Sequence, residues 1–208
     1  MATYIFNYAL IEHKLTLMRD QQASTLVFKQ NLDDIAKLMA YEITRDLPLK
    51  DKDIITPLCP MTGKELANDI VLVPILRAGL GLLDGFRDVI KEAKVGFLGM
   101  QRNEETLQPE EYYAKLPQNI ENDHVIIIDP MLATGGSALA AIESLKKKGA
   151  QHIVLACLIG APEGVKIIED HYPDVDLYLA HLDDHLNEKG YIVPGLGDAG
   201  DRLFGTNE

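Results

Sequence analysis

An aspartate closing an apolar run, then a glycine-rich turn opening a helix, makes the most chemically loaded stretch of the chain: DHVIIIDPMLATGGSALAAIESL, Asp123–Leu145. The apolar strand pattern ends in Asp129, and Ala133–Thr134–Gly135–Gly136–Ser137 starts the helix. Glycines let backbone N–H groups approach a ligand, a helix N-terminus adds partial positive charge, and Thr134 and Ser137 supply hydroxyls. Together they suit a phosphate monoester. A carboxylate beside such a cradle needs a different partner, and vicinal sugar hydroxyls are the natural one for Asp129. Taken alone, the segment also reads as a plain strand-to-helix turn capped by Thr134. The Walker pattern GxxxxGK[ST] occurs nowhere in the chain.

Three further segments carry unusual residues. In IVLVPILRAGLGLLDGF (Ile70–Phe86) an apolar run ends at Arg77, beside Gly79 and Gly81. A guanidinium there, with exposed backbone N–H groups, suits a pyrophosphate. A surface ion pair is the competing reading, weakened by the apolar residues flanking Arg77. In FLGMQRNEETLQPEEYYAKLP (Phe97–Pro117) a strand ends at Arg102, and the polar stretch after it predicts a lid loop. Its acids Glu104, Glu105, Glu110 and Glu111 read as solvated surface. Finally, YIVPGLGDAGDRLFGTNE (Tyr191–Glu208) holds Gly195, Gly197, Gly200 and Gly205. That density predicts a shaped loop rather than a regular helix or strand. Its Ile192, Val193, Leu196, Leu203 and Phe204 call for burial. Backbone amides and carbonyls in such a loop suit a flat heterocycle.

These segments need a scaffold, and the apolar runs supply one. Ile70–Ile75, Val95–Met100, Val125–Ile128 and Ile153–Ile159 predict buried parallel strands, with Val175–Ala180 a fifth candidate. Helical patterns lie between them over Leu80–Lys91, Ser137–Lys148 and Gly164–His171. The alternation predicts an α/β fold whose ligands bind beyond the carboxyl ends of the strands. Upstream, Leu32, Ile35, Ala36, Leu38, Met39 and Ile43 predict a helix with Asp33 and Asp34 in its first turn and Pro48 closing it. One domain is expected: an N-terminal extension (about 1–50), a core (about 51–180) and a C-terminal hood (about 181–208).

Composition narrows the partners. The 208 residues are 47% hydrophobic and 25% charged, with a net charge of -12. Acids outnumber bases 32 to 20, which argues against a nucleic-acid partner, since a phosphate backbone demands a basic face. The cluster Lys146–Lys147–Lys148 reads as cations at a helix C-terminus. The start of the chain has no signal-peptide pattern, and no apolar run is long enough for a membrane span. Two cysteines, Cys59 and Cys157, with Cys157 in an apolar run, fit buried-thiol chemistry in a reducing cytoplasm. His181 and His185 are four apart, but HLDDH is not H-E-x-x-H, and a zinc site there is disfavoured.

The stretch DPMLATGGS (Asp129–Ser137) resembles the PRPP-binding motif of type I phosphoribosyltransferases (PRPP, 5-phosphoribosyl 1-diphosphate), and Pro130 in second place resembles the uracil-specific branch. Tyr191–Gly205 resembles that branch's base-binding hood, and EHKLTLMRDQQAST (Glu12–Thr25) and YEITRDLPL (Tyr41–Leu49) resemble the same family, so nearly the whole chain is covered. The resemblance implies the type I phosphoribosyltransferase fold, a central mostly parallel sheet flanked by helices with an N-terminal helical extension and a C-terminal hood. It implies transfer of phosphoribosyl from PRPP to uracil, giving UMP and pyrophosphate. By it, Arg77 and Arg102 contact pyrophosphate, and Asp129, Pro130, Met131, Leu132, Ala133, Thr134, Gly135, Gly136 and Ser137 bind PRPP. Asp129, Arg102 and Arg77 are the catalytic set. Ile192, Gly197, Asp198 and Ala199 line uracil, with Asp198 also reaching PRPP through Mg2+. Asp183 or Asp184 is a candidate for the border of the base pocket. GTP is a candidate effector, as in some family members, and a homodimer or higher homo-oligomer is expected. The alternatives are a PRPP-dependent relative acting on another base, a homologue that binds PRPP without turnover, and an RNA-binding regulator of pyrimidine genes.

Overall fold

Residues 2–102 and 109–206 are described by the computed structural model. Strand β1 (Thr3–Ile5) leads into two helices, α1 (Ala9–Arg19) and α2 (Thr25–Thr44). A hairpin of β2 (Leu49–Ile55) and β3 (Pro60–Leu66) follows, then β4 (Ile70–Leu76), α3 (Leu80–Val89) and β5 (Lys94–Val95). Next come β6 (Phe97–Arg102), β7 (Pro109–Lys115), β8 (His124–Leu132), α4 (Gly136–Lys147) and β9 (His152–Gly160). Helix α5 (Pro162–His171) and β10 (Asp176–Leu182) lead to the short strands β11 (His185–Leu186) and β12 (Ile192–Val193), and then to α6 (Ala199–Phe204).

The main sheet runs β1-β10-β9-β8-β4-β6-β7, with β5 also paired to β4. Every pairing in it is parallel except β6 with β7. Central strands buried on both faces need apolar residues at every position, which explains the continuous runs in β4, β8 and β9. The pleat sends Ile126 and Ile128 into a core with α1, α2, α3 and α6. Val125 and Ile127 enter the opposite core, with α4 and α5. Helices therefore cover both faces, as strand–helix alternation predicts. Among the described residues no helix is long and apolar enough to cross a membrane.

Several expectations are corrected. The second helix begins at Thr25, where Ser24 caps it by accepting the Val27 N–H at 3.3 Å. Asp33 and Asp34 are therefore mid-helix, because Phe28 extends the buried face upstream, and the helix ends at Thr44, before Pro48. Strand β8 does not end at Asp129. It runs to Leu132, since β9 stays in register past that point, pairing Asp129 with Cys157 and Leu132 with Gly160. Val95–Met100 is two strands, separated at Gly96, whose N–H bonds the Leu72 carbonyl at 2.9 Å.

Residues 103–108 of the expected lid lie outside the described residues, and another part of it, Pro109–Lys115, folds back along β6 as a β-arm. Gly99 makes room for it: a Cβ there would lie 2.5 Å from the Tyr112 ring. Glu111 is not merely solvated, since it accepts a hydrogen bond from Ser144 and pairs with Lys148 at 3.4 Å. In the C-terminal segment a helix does form despite the glycines, because Asp198 caps it and Gly205 closes it with φ at +66°. Phe204 stays 45% exposed, because its ring lies outside the core, beside Arg77. Strand β1 and the β2–β3 hairpin gave no periodic signal; all of β2 is exposed.

Candidate active site

Strand β4 is the hinge of the site. It pairs with β8 on one side and β6 on the other, all parallel. Arg77, the end of β6 and the segment after Asp129 therefore share one edge, at the strands' carboxyl ends. The turn after β4 presses on the neighbouring strand: a Cβ at Gly79 would lie 2.5 Å from the Ile128 carbonyl oxygen. Arg77 itself is exposed and follows a cis Leu76–Arg77 peptide. Its guanidinium stands over the Phe204 ring at 5.9 Å. Among the described residues no carboxylate forms an ion pair with it. Arg102 ends β6 at the same edge by backbone position. Its side chain lies outside the described residues, as do Glu104, Glu105 and Gln108.

Beyond Leu132 the chain turns through Gly135, in the left-handed region at φ +79°, and starts α4 at Gly136. Only glycine takes that conformation without strain. Thr134 does not cap the helix; Gly135 stands at that place and offers no side chain. The first-turn N–H groups consequently lack intrahelical partners. Thr134 and Ser137 are both exposed. Helix α5 braces the turn from behind. The Ala161 N–H bonds the Leu132 carbonyl at 2.9 Å, and a Cβ on Gly164 would collide with the Ala133 carbonyl oxygen.

Asp129 precedes this cradle on β8 and is half-buried. Desolvation pushes its pKa up to about 7, offset in part by the Met131 backbone amide. Cys157, its register partner, is a buried free thiol. Burial first, and then the nearby Asp129 charge, push that thiol well above its ordinary range.

The C-terminal segment closes over the other side. Ile192 and Ala199 are buried, whereas Gly197 and Asp198 are exposed. The Val193–Pro194 peptide is cis, and Gly195 and Gly197 take φ of +65° and +80°. Asp198 accepts the Asp201 N–H at 2.9 Å, so one of its oxygens is committed to α6. A Cβ on Gly200 would sit 3.9 Å from Ala78, and one on Gly190 would sit 3.6 Å from Thr134. The hood thus meets both the Arg77 turn and the cradle. Asp184 is exposed, while Asp183 is buried and bound to Arg19. His181 faces Glu12 at 2.8 Å. Among the described residues no cluster of three or more His, Cys, Asp or Glu is placed to hold a metal ion.

Residue reasoning missed Arg19 and Arg202 as organisers of the hood, and read Asp183 only as a candidate for the border of the base pocket. Arg202 donates to the Leu196 carbonyl at 2.8 Å and to the Asp20 carbonyl at 2.7 Å. Its guanidinium covers the Phe28 ring at 4.5 Å. Arg19 and Asp183 lie 164 positions apart, a pairing that spacing in one sequence does not announce.

A family model described as uracil phosphoribosyltransferase matches residues 5–206. Proteins of that name from Limosilactobacillus reuteri and Halalkalibacterium halodurans are 58% and 59% identical to the chain. Those matches cover 97% and 98% of this chain and the same shares of the relatives. A solved structure from Aquifex aeolicus superposes with a TM-score of 0.91 at 40% identity, covering 97% of both chains. A hypoxanthine-guanine phosphoribosyltransferase from Bacillus anthracis gives a TM-score of 0.52 at 13% identity, over 76% of this chain and 80% of that one. That last likeness bears on the fold, which is the type I phosphoribosyltransferase arrangement.

Proposed function

The chain belongs to the uracil phosphoribosyltransferase family, and from that premise we propose how its own residues divide the work. It transfers the 5-phosphoribosyl group of PRPP to uracil, giving UMP and pyrophosphate. The observation that carries the division of labour is the meeting of three elements at one sheet edge. They are the Arg77 turn, the Ala133–Ser137 cradle and the hood, joined through Gly79, Gly190 and Gly200.

In this reading the free N–H groups at the start of α4, with Thr134 and Ser137, hold the 5′-phosphate. Asp129 holds the ribose hydroxyls, and Pro130, Met131 and Leu132 form the wall between sugar and cradle. Arg77 and Arg102 face the diphosphate. Ile192 and Gly197–Asp198–Ala199 line uracil, the backbone reading its carbonyl and N–H edge. The bond from C1 to the diphosphate breaks as uracil N1 attacks, so positive charge grows on the sugar and negative charge on the leaving group. Preorganised arginines stabilise the latter and the Asp129 carboxylate the former. No described side chain is placed as a base for N1, so positioning and electrostatics supply most of the rate.

Mg2+ fits this site as an ion carried on the diphosphate. The described residues offer no multidentate cage, but the desolvated Asp129 carboxyl and the open side of Asp198 are oxygen donors of the kind it takes. Bound there, it would neutralise diphosphate charge; Asp198 would hold it through PRPP. The setting proposed is cytoplasmic, supported by two free thiols. A homodimer or higher homo-oligomer is proposed, supported by Ile54, Ile55, Leu58 and Met61 exposed on and beside the β2–β3 hairpin. GTP as effector rests on the family resemblance alone.

The direct test incubates the protein with PRPP, Mg2+ and each nucleobase in turn. UMP formed with uracil, and no nucleotide formed with hypoxanthine or guanine, is expected. Consumption of a purine instead would overturn the assignment.

A further inference from the structure

Asp183 has a fully buried side chain, yet no part of the proposed chemistry uses it. Arg19, at the last position of α1, meets both of its oxygens, Nη1 bonding Oδ2 at 2.9 Å and Nη2 bonding Oδ1. Nη1 also donates to the Gly195 carbonyl at 2.6 Å, and the Gly195 N–H donates to Asp183 Oδ2 at 2.9 Å. The pair therefore holds both backbone polar groups of one glycine. That glycine is the pivot of the hood, at φ +65°, where a Cβ would collide with the Ile192 carbonyl. One residue on, Arg202 holds Leu196 and ties it to Asp20, the neighbour of Arg19. Among the described residues, the titratable groups that also face Asp183 are His181, 3.5 Å away, and Glu12 behind it.

A buried ion pair seldom adds net stability over apolar packing, because desolvation consumes the Coulombic gain. What this one adds is direction: together with Arg202 it puts three bonds on the turn between Ile192 and Gly197. We infer that Arg19 and Asp183 are positioning residues for the nucleobase, fixing the hood backbone that reads uracil while touching neither substrate. The inference rests on the proposed role of Ile192 and Gly197–Ala199.

Steady-state kinetics of the full chain separate this from a general structural role. Asp183→Asn keeps the shape but loses the charge that gathers both donors. KM for uracil should rise by roughly tenfold or more while KM for PRPP stays within about twofold. Arg19→Lys retains a cation for Asp183 but lacks the fork that also reaches Gly195. It should keep a near-normal Tm and still show the raised KM for uracil. Because Arg19 is partly open to solvent, this variant carries the test if Asp183→Asn does not fold. Equal rises in both KM values, or a lysine variant with normal KM for uracil, would overturn the inference. Wild-type protein that makes no UMP would overturn the functional reading beneath it, whereas active wild type with unaltered variants sinks the positioning role alone.

Discussion

Glu163 accepts the Leu186 backbone N–H at 3.0 Å, tying the first turn of α5 to the short strand β11. That amide is the main reason the Glu163 carboxyl is held below its usual range. The same turn packs Gly164 against the Ala133 and Leu132 carbonyls. One helix start is therefore a shared wall between the phosphate cradle and the hood. In a displacement where N1 must face C1 in line, the separation of those two loops matters as much as either loop's chemistry.

Adding a methyl group at that wall should disturb the phosphate end first. In Gly164→Ala the new Cβ meets backbone oxygens, with Leu132 O at 2.9 Å, and backbone has little freedom to give way. We expect a loss of about 1–3 kcal/mol in stability by denaturant unfolding. KM for PRPP should rise roughly tenfold or more. An unchanged KM for PRPP would mean that α5 does not shape the cradle.

Asp129 should give the reaction a pH limb. Its folded pKa of about 7 lies above its ordinary 3.8, so its contribution to stability is present below about 4 and lost as pH rises through about 7. The neutral isostere Asp129→Asn should thus be more stable than wild type at pH 8, by on the order of 1–2 kcal/mol after discounting for solvent. The gap should close near pH 4. Activity runs the opposite way, since the proposed ribose contact needs the carboxylate. In wild type, kcat/KM for PRPP should rise with pH through an apparent value near 7. The asparagine variant should lose that limb and about two orders of magnitude in kcat. A limb of equal size in both proteins would assign it to PRPP's own phosphate.

Arg77 offers a cleaner separation of function from folding. Exposed and, among the described residues, stacked on a half-exposed phenylalanine, it can be removed with little effect on the core. Arg77→Ala should keep Tm within about 2 °C yet weaken product inhibition by pyrophosphate by roughly tenfold. A variant whose inhibition by pyrophosphate is unchanged would remove Arg77 from the diphosphate site.

The parts of this molecule that were legible from its residues are those whose signal is local. Continuous apolar runs announced β4, β8 and β9, because strands covered on both faces need them. The cradle was visible because glycines and hydroxyls sit together within one turn of chain, and Arg77 because a guanidinium stands beside two glycines at the end of an apolar run. What stayed hidden depends on partners far away in sequence. The β2–β3 hairpin buries no face; it is laced by cross-strand charges such as Lys50 with Glu65 at 3.5 Å, and polar strands give no period-two signal. Helix α6 was obscured by Gly200, where a Cβ would crowd the capping Asp198 carboxylate at 3.2 Å. The clamp of Arg19 on Asp183 joins the two ends of the chain, and only the fold brings them together.

Two glycines on α3 make opposite demands on their surroundings, and that difference predicts different phenotypes for the same substitution. A Cβ at Gly85 would lie 2.5 Å from the Asp33 carbonyl oxygen and 2.6 Å from the Ala36 Cβ. Both belong to α2, which can yield only by moving as a helix, so Gly85→Ala should cost about 2–3 kcal/mol in unfolding free energy. A Cβ at Gly81 would instead meet the Leu203 and Leu32 methyls at 2.5 and 2.8 Å, and side-chain ends can rotate. Leu203, however, sits on α6, the helix that Asp198 caps and Ala199 begins. Gly81→Ala should therefore cost less stability, about 1 kcal/mol, and raise KM for uracil more than KM for PRPP. Measuring Tm and both KM values for the pair would decide: a Gly81 variant with the larger stability loss and no uracil effect would mean that α6 does not transmit core packing to the hood.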